Sequence, residues 1–308
     1  MPQSLARATA MAAILLLAAV IPAAALADPR SDLAELGIMV TQDAVGWAGV
    51  ASPGLTDQRL ARAAPVLARL GGGGVVRLDL SGTDVSDLHP IARLQSLREL
   101  DLHQTPIFDV TPLRSLTALT RIDLSTSWVL DLMPLEALTA LQKLDLDDTD
   151  VFDLTPLKSL VRLREIDLRH TQVADLAPLR DLTGLQHLDL AETGVVDISP
   201  LAGLTALTSL DLGVAWSGNY GGRRWSGVAD ITPLQRLAAL ASLDLSYAPV
   251  SDLTPLAHLR NLNRLDLQDT DVADLSPLAS LKGLRFLGLD ETKVTDLARL
   301  KGSPRCGN

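Results

Sequence analysis

The chain has 308 residues, 47% of them apolar but only 3% aromatic, so any core must be built from aliphatic side chains. Its 27 Lys and Arg against 37 Asp and Glu leave a formal charge of −10, which argues against nucleic acid or an anionic membrane surface as partner. A single cysteine, Cys306, excludes an internal disulfide framework and a cysteine-based zinc cluster.

Residues 1–27 carry one early positive charge, Arg7, then an apolar run centred on Ala13 to Pro22. They end in Ala25-Leu26-Ala27, the small-x-small pattern at which signal peptidase cuts. The expected mature chain starts at Asp28 and is exported, periplasmic or secreted, with no membrane span. A membrane anchor is the other reading, although the apolar run is short for a span of about 20 residues. Residues 28–74 are expected to form an N-terminal cap. Within them, Asp57 to Leu70 sets Leu60, Ala64, Leu67 and Leu70 at helical spacing before Gly71 to Gly74 end the helix.

From residue 75 to 300 one period organises the chain. Leu-x-Leu recurs with its first position at Leu78, Leu100, Ile122, Leu144, Ile166, Leu188, Leu210, Leu243, Leu265 and Leu287. The spacing is 22 residues six times, then 33, then 22 twice, so ten copies carry one insertion. A period of this length with L-x-x-L-x-L is a leucine-rich-repeat signature. Each Leu-x-Leu is a short strand with its leucines inward, and stacked coils form a parallel sheet with strands about 4.8 Å apart. The expected fold is an α/β solenoid with a curved parallel sheet on its concave face and short 3₁₀ turns on its convex face. Thr111-Pro112, Thr155-Pro156, Ser199-Pro200, Thr232-Pro233, Thr254-Pro255 and Ser276-Pro277 read as a capping hydroxyl before proline. His89, Met133 and Ala177 stand in that place without a hydroxyl, so their cap must come from elsewhere.

The recurring pattern Leu-Asp-Leu-x-x-Thr-x-Val-x-Asp-Leu-x-Pro-Leu-x-x-Leu resembles the 22-residue repeats of the bacterial internalin family over roughly residues 75–300. That resemblance implies a protein-binding module that uses its concave face. The Asn usual after the strand is Thr in seven copies (Thr83, Thr105, Thr149, Thr171, Thr193, Thr270 and Thr292), so a hydroxyl ladder must replace the amides. Residues 301–308 are too few for a matching cap, so the open end is expected to fray or to self-associate weakly.

Two carboxylate columns arise from the period. Asp79, Asp101, Asp123, Asp145, Asp167, Asp189, Asp211, Asp244 and Asp266 lie between the strand leucines and form a concave ladder broken only by Gly288. The second column is Asp87, Asp109, Asp131, Asp153, Asp175, Asp197, Asp230, Asp252, Asp274 and Asp296, expected to accept backbone N–H bonds at the turn into the convex side. In the ladder, like charges about 5 Å apart repel by roughly 0.8 kcal/mol per pair even in bulk water. Arg77, Arg121, Lys143, Arg169 and Arg264 flank it and can bridge strands. Three roles remain open for the ladder. It can be structural; it can be an acidic strip for a basic protein or peptide, centred on Asp145, Asp167, Asp189 and Asp211; or it can be a calcium site around Asp123, Asp145, Asp147 and Asp167.

The insertion, residues 213–228, adds Trp216, Tyr220, Arg223, Arg224 and Trp225 among glycines. These residue types dominate binding hot spots, and loops on rigid scaffolds often carry function. Tyr247 is expected at the same rim on the next coil, and Trp128 four coils earlier. His187, Asp189 and Ser209 could approach one another, but an Asp two residues along the same strand lies beside the His rather than behind it. The sequence therefore reads as a non-catalytic binding protein without a cofactor. The alternative is a structural, calcium-stabilised envelope protein.

Overall fold

A computed structural model describes residues 28–214 and 227–296, together with the backbone of Arg305–Cys306. The expected leader, residues 1–27, lies outside the described residues. In chain order the cap contains α1 (Pro29–Glu35), β1 (Ile38–Gln42), β2 (Trp47–Ala51) and α2 (Asp57–Leu67). The repeats supply β3 (Val75–Asp79), β4 (Glu99–Asp101), β5 (Arg121–Asp123), β6 (Lys143–Asp145) and β7 (Glu165–Asp167). They continue with β8 (His187–Asp189), β9 (Ser209–Asp211), β10 (Ser242–Asp244), β11 (Arg264–Asp266) and β12 (Phe286–Gly288), before β13 (Arg305–Cys306). All lie in one curved sheet in sequence order. Every neighbouring pair is parallel except the β1–β2 hairpin.

The stacking results from burial. One coil cannot cover its own ring of leucines, whereas its neighbours can. The first strand leucine or isoleucine of every repeat is at most 2% exposed. Main-chain bonds tie each coil to the next, as in Leu80 N–H to Asp101 O (2.9 Å) and Leu102 N–H to Asp123 O (2.9 Å). The insertion does not disturb this. β9 and β10 pair as Ser209↔Ser242, Leu210↔Leu243 and Asp211↔Asp244, the register used elsewhere. Val214 and Val228 are buried at the two edges of the insertion.

After each strand the chain must turn sharply, and in nine of the ten coils it does so through one left-handed residue. Gly82 (φ 62°) supplies it first, then Gln104, Thr126, Asp148, His170, Glu192, Tyr247, Asp269 and Glu291 with φ between 53° and 61°. The next position carries the hydroxyl ladder. Thr83, Thr105, Ser127, Thr149, Thr171, Thr193, Thr270 and Thr292 each donate to the carbonyl three residues back at 2.5–2.7 Å. The convex side is made of 3₁₀ turns such as Thr111–Ser115 and Thr155–Leu157.

Three expectations need correcting. The Thr and Ser hydroxyls before proline are not the caps. Asp87, Asp109, Asp131, Asp153, Asp175, Asp197, Asp230, Asp252 and Asp274 accept the N–H two residues on at 2.8–2.9 Å, whether that residue is His, Met, Ala, Ser or Thr. A carboxylate is the better acceptor, and the hydroxyl of Ser199, Thr254 or Ser276 donates to the same aspartate. The cap is also more than one helix: α2 stops at Leu67, and a hairpin extends the sheet in front of the repeats. At the other end β13 pairs with β12 through Phe286↔Arg305 and Leu287↔Cys306. The chain's own backbone thus meets donors and acceptors that were expected to be open to a second chain.

Candidate functional site

The register places the nine ladder aspartates side by side on the concave face, from Asp79↔Asp101 to Asp244↔Asp266. The ladder ends at Gly288, where the Asp266 carboxylate occupies the space a Cβ would take. Each aspartate has a local task that sequence reasoning missed, since its Oδ1 accepts the N–H two residues on. The distances run from 2.8 Å for Asp211 with Gly213 to 3.3 Å for Asp266 with Gln268. That bond closes the turn out of the strand, and at Asp167, Asp189 and Asp266 it leaves Oδ2 to meet an arginine. The Leu-Asp-Leu-x motif is signal enough to predict it, because Asp readily forms such turns.

Few of the flanking cations neutralise the ladder. Arg77 turns away to Asp43 in the cap hairpin, and Lys143 pairs with Glu165 at 3.1 Å. Arg121 has no ion pair among the described residues. Arg264 reaches Asp266 at 3.4 Å and stacks on Phe286, 3.9 Å from the ring centre. Only Arg169 bridges as expected, touching Asp167 (3.2 Å), Asp189 (3.5 Å) and Asp147 (3.1 Å). His170 adds Nδ1 to Asp147 at 2.8 Å and Nε2 near Glu192 at 3.5 Å.

The electrostatic consequence is local. Burial, then the charge of Asp123, pushes Asp145 up to about 6. Burial, with Asp211 and Asp167 adding to it, pushes Asp189 up to about 7. Burial and Asp244 push Asp211 up to about 6. Asp101 and Asp266 are raised by burial and by their ladder neighbours. At His170 burial is the largest single influence and opposes the charged form, but the bond to Asp147 together with the charges of Asp147 and Glu192 outweighs it, and the pKa is raised.

The side chains around the ladder change along the groove. Over β3–β6 a shallow recess of about 300 Å³ mixes Arg77, Arg121 and Lys143 with Asp79, Asp101 and Asp123. Along β9 and β10 the positions beside the ladder shrink to Ser209, Gly213, Ser242 and Ser246 around Asp211 and Asp244, while on β8 Asp189 lies between the exposed His187 and the small Ala191.

The other expected site residues fare differently. Trp216, Tyr220, Arg223, Arg224 and Trp225 lie outside the described residues. Tyr247 is buried and accepts from Gln268 Nε2 at 3.1 Å, so it does not stand out at the rim; its strand-exit position turns the ring onto the coil. Trp128 is 67% exposed. Asp123, Asp145, Asp147 and Asp167 are spread over three strands, and Asp147 is taken by Arg169 and His170. Among the described residues no three His, Cys, Asp or Glu side chains are grouped to hold a metal ion. His187 makes no hydrogen bond to Asp189 or Ser209 among the described residues. No helix among them is long and apolar enough to cross a membrane.

No protein-family model and no curated protein sequence matches the chain. Solved structures do. It is similar to an internalin (inlF) of Listeria monocytogenes, with 26% identity and a TM-score of 0.64 over 81% of this chain and 83% of that one. It is also similar to an internalin C2 (inlC2) of the same organism, with 26% identity and a TM-score of 0.53 over 80% and 92% of the two chains. A leucine-rich-repeat protein of Leptospira interrogans shares the fold at 19% identity, with a TM-score of 0.61 over 81% and 70%. The fold is an internalin-type leucine-rich-repeat solenoid.

Proposed function

We propose that the chain is a non-catalytic, exported binding module that takes a basic protein or peptide segment along the acidic stretch of its concave face, centred on Asp145, Asp167, Asp189 and Asp211. One observation carries this reading. Past Asp167 the groove floor loses its bulk: Asp211 and Asp244 have Ser209, Gly213, Ser242 and Ser246 beside them, Asp189 has Ala191 and His187, and among the described residues the only cation that forms an ion pair with this stretch is Arg169 at its edge. Lys or Arg side chains of a partner would lie between carboxylates that otherwise repel one another, replacing the protons that the ladder holds up to near-neutral pH. An extended segment suits a surface whose recognition groups repeat once per strand. The internalin-type solenoid supports a binding role, and the leader-like residues 1–27 support export.

Fluorescence anisotropy of a labelled Lys/Arg-rich peptide tests this. Binding should weaken as salt rises, and should fall about tenfold or more in the Asp189→Asn/Asp211→Asn variant. It should not change when two convex charges are removed by Glu136→Gln and Asp181→Asn. Equal binding of a Glu-rich peptide, or equal losses in the two double variants, would refute the proposal.

A further inference from the structure

A second surface lies off the groove, on the flank where each coil leaves its strand for the convex side. Here the interior is lined by Ile107, Val129 and Val151, all fully buried. Alternation along extended backbone turns the residues between them outward. Most coils keep that outward place small, as at Ser86, Ala174, Ala229, Ser251 and Ala273, and Val196, 62% exposed, stands alone between small neighbours. Three consecutive coils instead carry Phe108, Leu130 and Phe152 there, 64%, 49% and 57% exposed. Trp128 and Met133, 67% and 55% exposed, flank them. The coils are held in step at this edge by Trp128 N–H to Ile107 O at 2.9 Å. The apolar side chains therefore form one patch, not scattered contacts.

In a chain with nine aromatic residues, three solvent-facing rings on adjacent coils need a cause. Each ring would bury about 150–250 Å² if covered, so the three together leave roughly 300–400 Å² open before Leu130 and Met133 are counted. That is already the size at which exposed patches on monomers mark interaction sites. It is also about half of what one partner buries in a standard interface.

Charge selects the occupant. Within residues 106–109, 128–131 and 150–153 the charged side chains are Asp109, Asp131, Asp150 and Asp153, with no Lys or Arg. Hydrogen bonds from Thr111 and Thr155 hold Asp109 and Asp153 below the usual carboxylate range, so this rim keeps its charge. An anionic bilayer is repelled by such a rim. A second copy meeting the patch symmetrically would set carboxylates against carboxylates. We propose that this flank docks a protein segment whose aromatic or aliphatic side chains are bordered by Lys or Arg. The segment packs its apolar face on Phe108, Trp128 and Phe152 and directs its cations to Asp109, Asp131 and Asp153. This surface is separate from the concave groove, and the proposal does not depend on what the groove binds.

The probe is a synthetic amphipathic peptide with a Leu/Trp face bordered by Lys, compared with the same peptide bordered by Glu. Substitutions are taken from the chain's own other coils, which keeps the variants foldable: Phe108→Ser as at Ser86, Trp128→Gln as at Gln172, and Phe152→Ala as at Ala174. The triple variant should bind the Lys-bordered peptide about thirtyfold more weakly or worse, as expected for two or more hot-spot side chains. The single Phe152→Ala variant should lose part of that, and Asp189→Asn/Asp211→Asn should lose less than the triple variant. Unchanged affinity in the triple variant would overturn the proposal, as would equal binding of the Glu-bordered peptide. Two further outcomes would also overturn it: wild-type dimers in sedimentation that the triple variant abolishes, or patch-dependent binding to phosphatidylglycerol vesicles.

Discussion

Replacing Asp145 by Asn isolates what the ladder costs the fold. Asn keeps the Oδ1 that accepts the Asp147 N–H at 3.2 Å and removes only the charge. In the folded protein Asp145 is pushed from 3.8 up to about 6, first by burial and then by Asp123. At about 1.4 kcal/mol per pKa unit, two units set an upper bound of about 3 kcal/mol. Water at the half-buried groove screens this, and roughly half is a fair expectation, about 1–1.5 kcal/mol. The sign comes from linkage. The folded state binds the proton more tightly than the unfolded chain, so the penalty is full above about pH 7. It fades as pH falls through about 6 and is gone by about pH 4. Asp145→Asn should therefore raise the melting temperature by about 2–5 °C near pH 8 and leave it unchanged near pH 4. Circular-dichroism melts at both pH values decide the matter. A variant that is less stable near pH 8, or shifted equally at both, would show that the ladder charge is no liability to the fold.

Other outcomes are expected from the same geometry. Thr126→Gly should stabilise the protein by up to about 1 kcal/mol in urea titrations, because a β-branched residue at φ 54° gives way to the residue Gly82 already places there. Thr105→Val should cost about 1–3 kcal/mol, since the buried Leu102 carbonyl loses the hydroxyl that donates to it at 2.6 Å. Replacing residues 215–227 by Thr-Gly, the pair at Thr193-Gly194, should leave the melt nearly unchanged, because β9 and β10 already pair in the common register; a collapsed melt would show that the insertion holds the coils together. The whole protein should gain stability as pH falls from about 8 to 5 and lose it below about 4. The ladder groups with raised pKa drive the first change, and the cap aspartates with lowered pKa, such as Asp109 and Asp197, drive the second.

Much of the architecture is legible in the chain's periodicity, and the features that escape it share a cause. Leu78 to Leu287 announce the strands because ten copies repeat one pattern. Ile38–Gln42 and Trp47–Ala51 do not repeat, and two short strands outside the pattern carry too little alternation to distinguish a hairpin from loop. The flank patch is readable too, since Phe108, Leu130 and Phe152 replace the Ser or Ala of most other coils. It is easily missed because columns that recur stand out more than the copies that deviate from them. Tyr247 looks like a rim aromatic by position, but whether a ring lies on the coil or stands away from it depends on its packing.

By itself the sequence determined the coil, the sheet order and the two aspartate columns. A period of this kind decides which side chains line an interior that only stacking can bury, and burial of leucine dominates every other term. Tertiary structure alone decided which charges matter. Arg77 leaves the ladder for Asp43, Arg169 stays, and Asp189 is pushed up to about 7 by its burial among neighbouring carboxylates. The cost of a charge depends on how much water and which counter-charges surround it. Those are properties of the assembled surface, to which distant segments contribute, and no spacing along the chain encodes them.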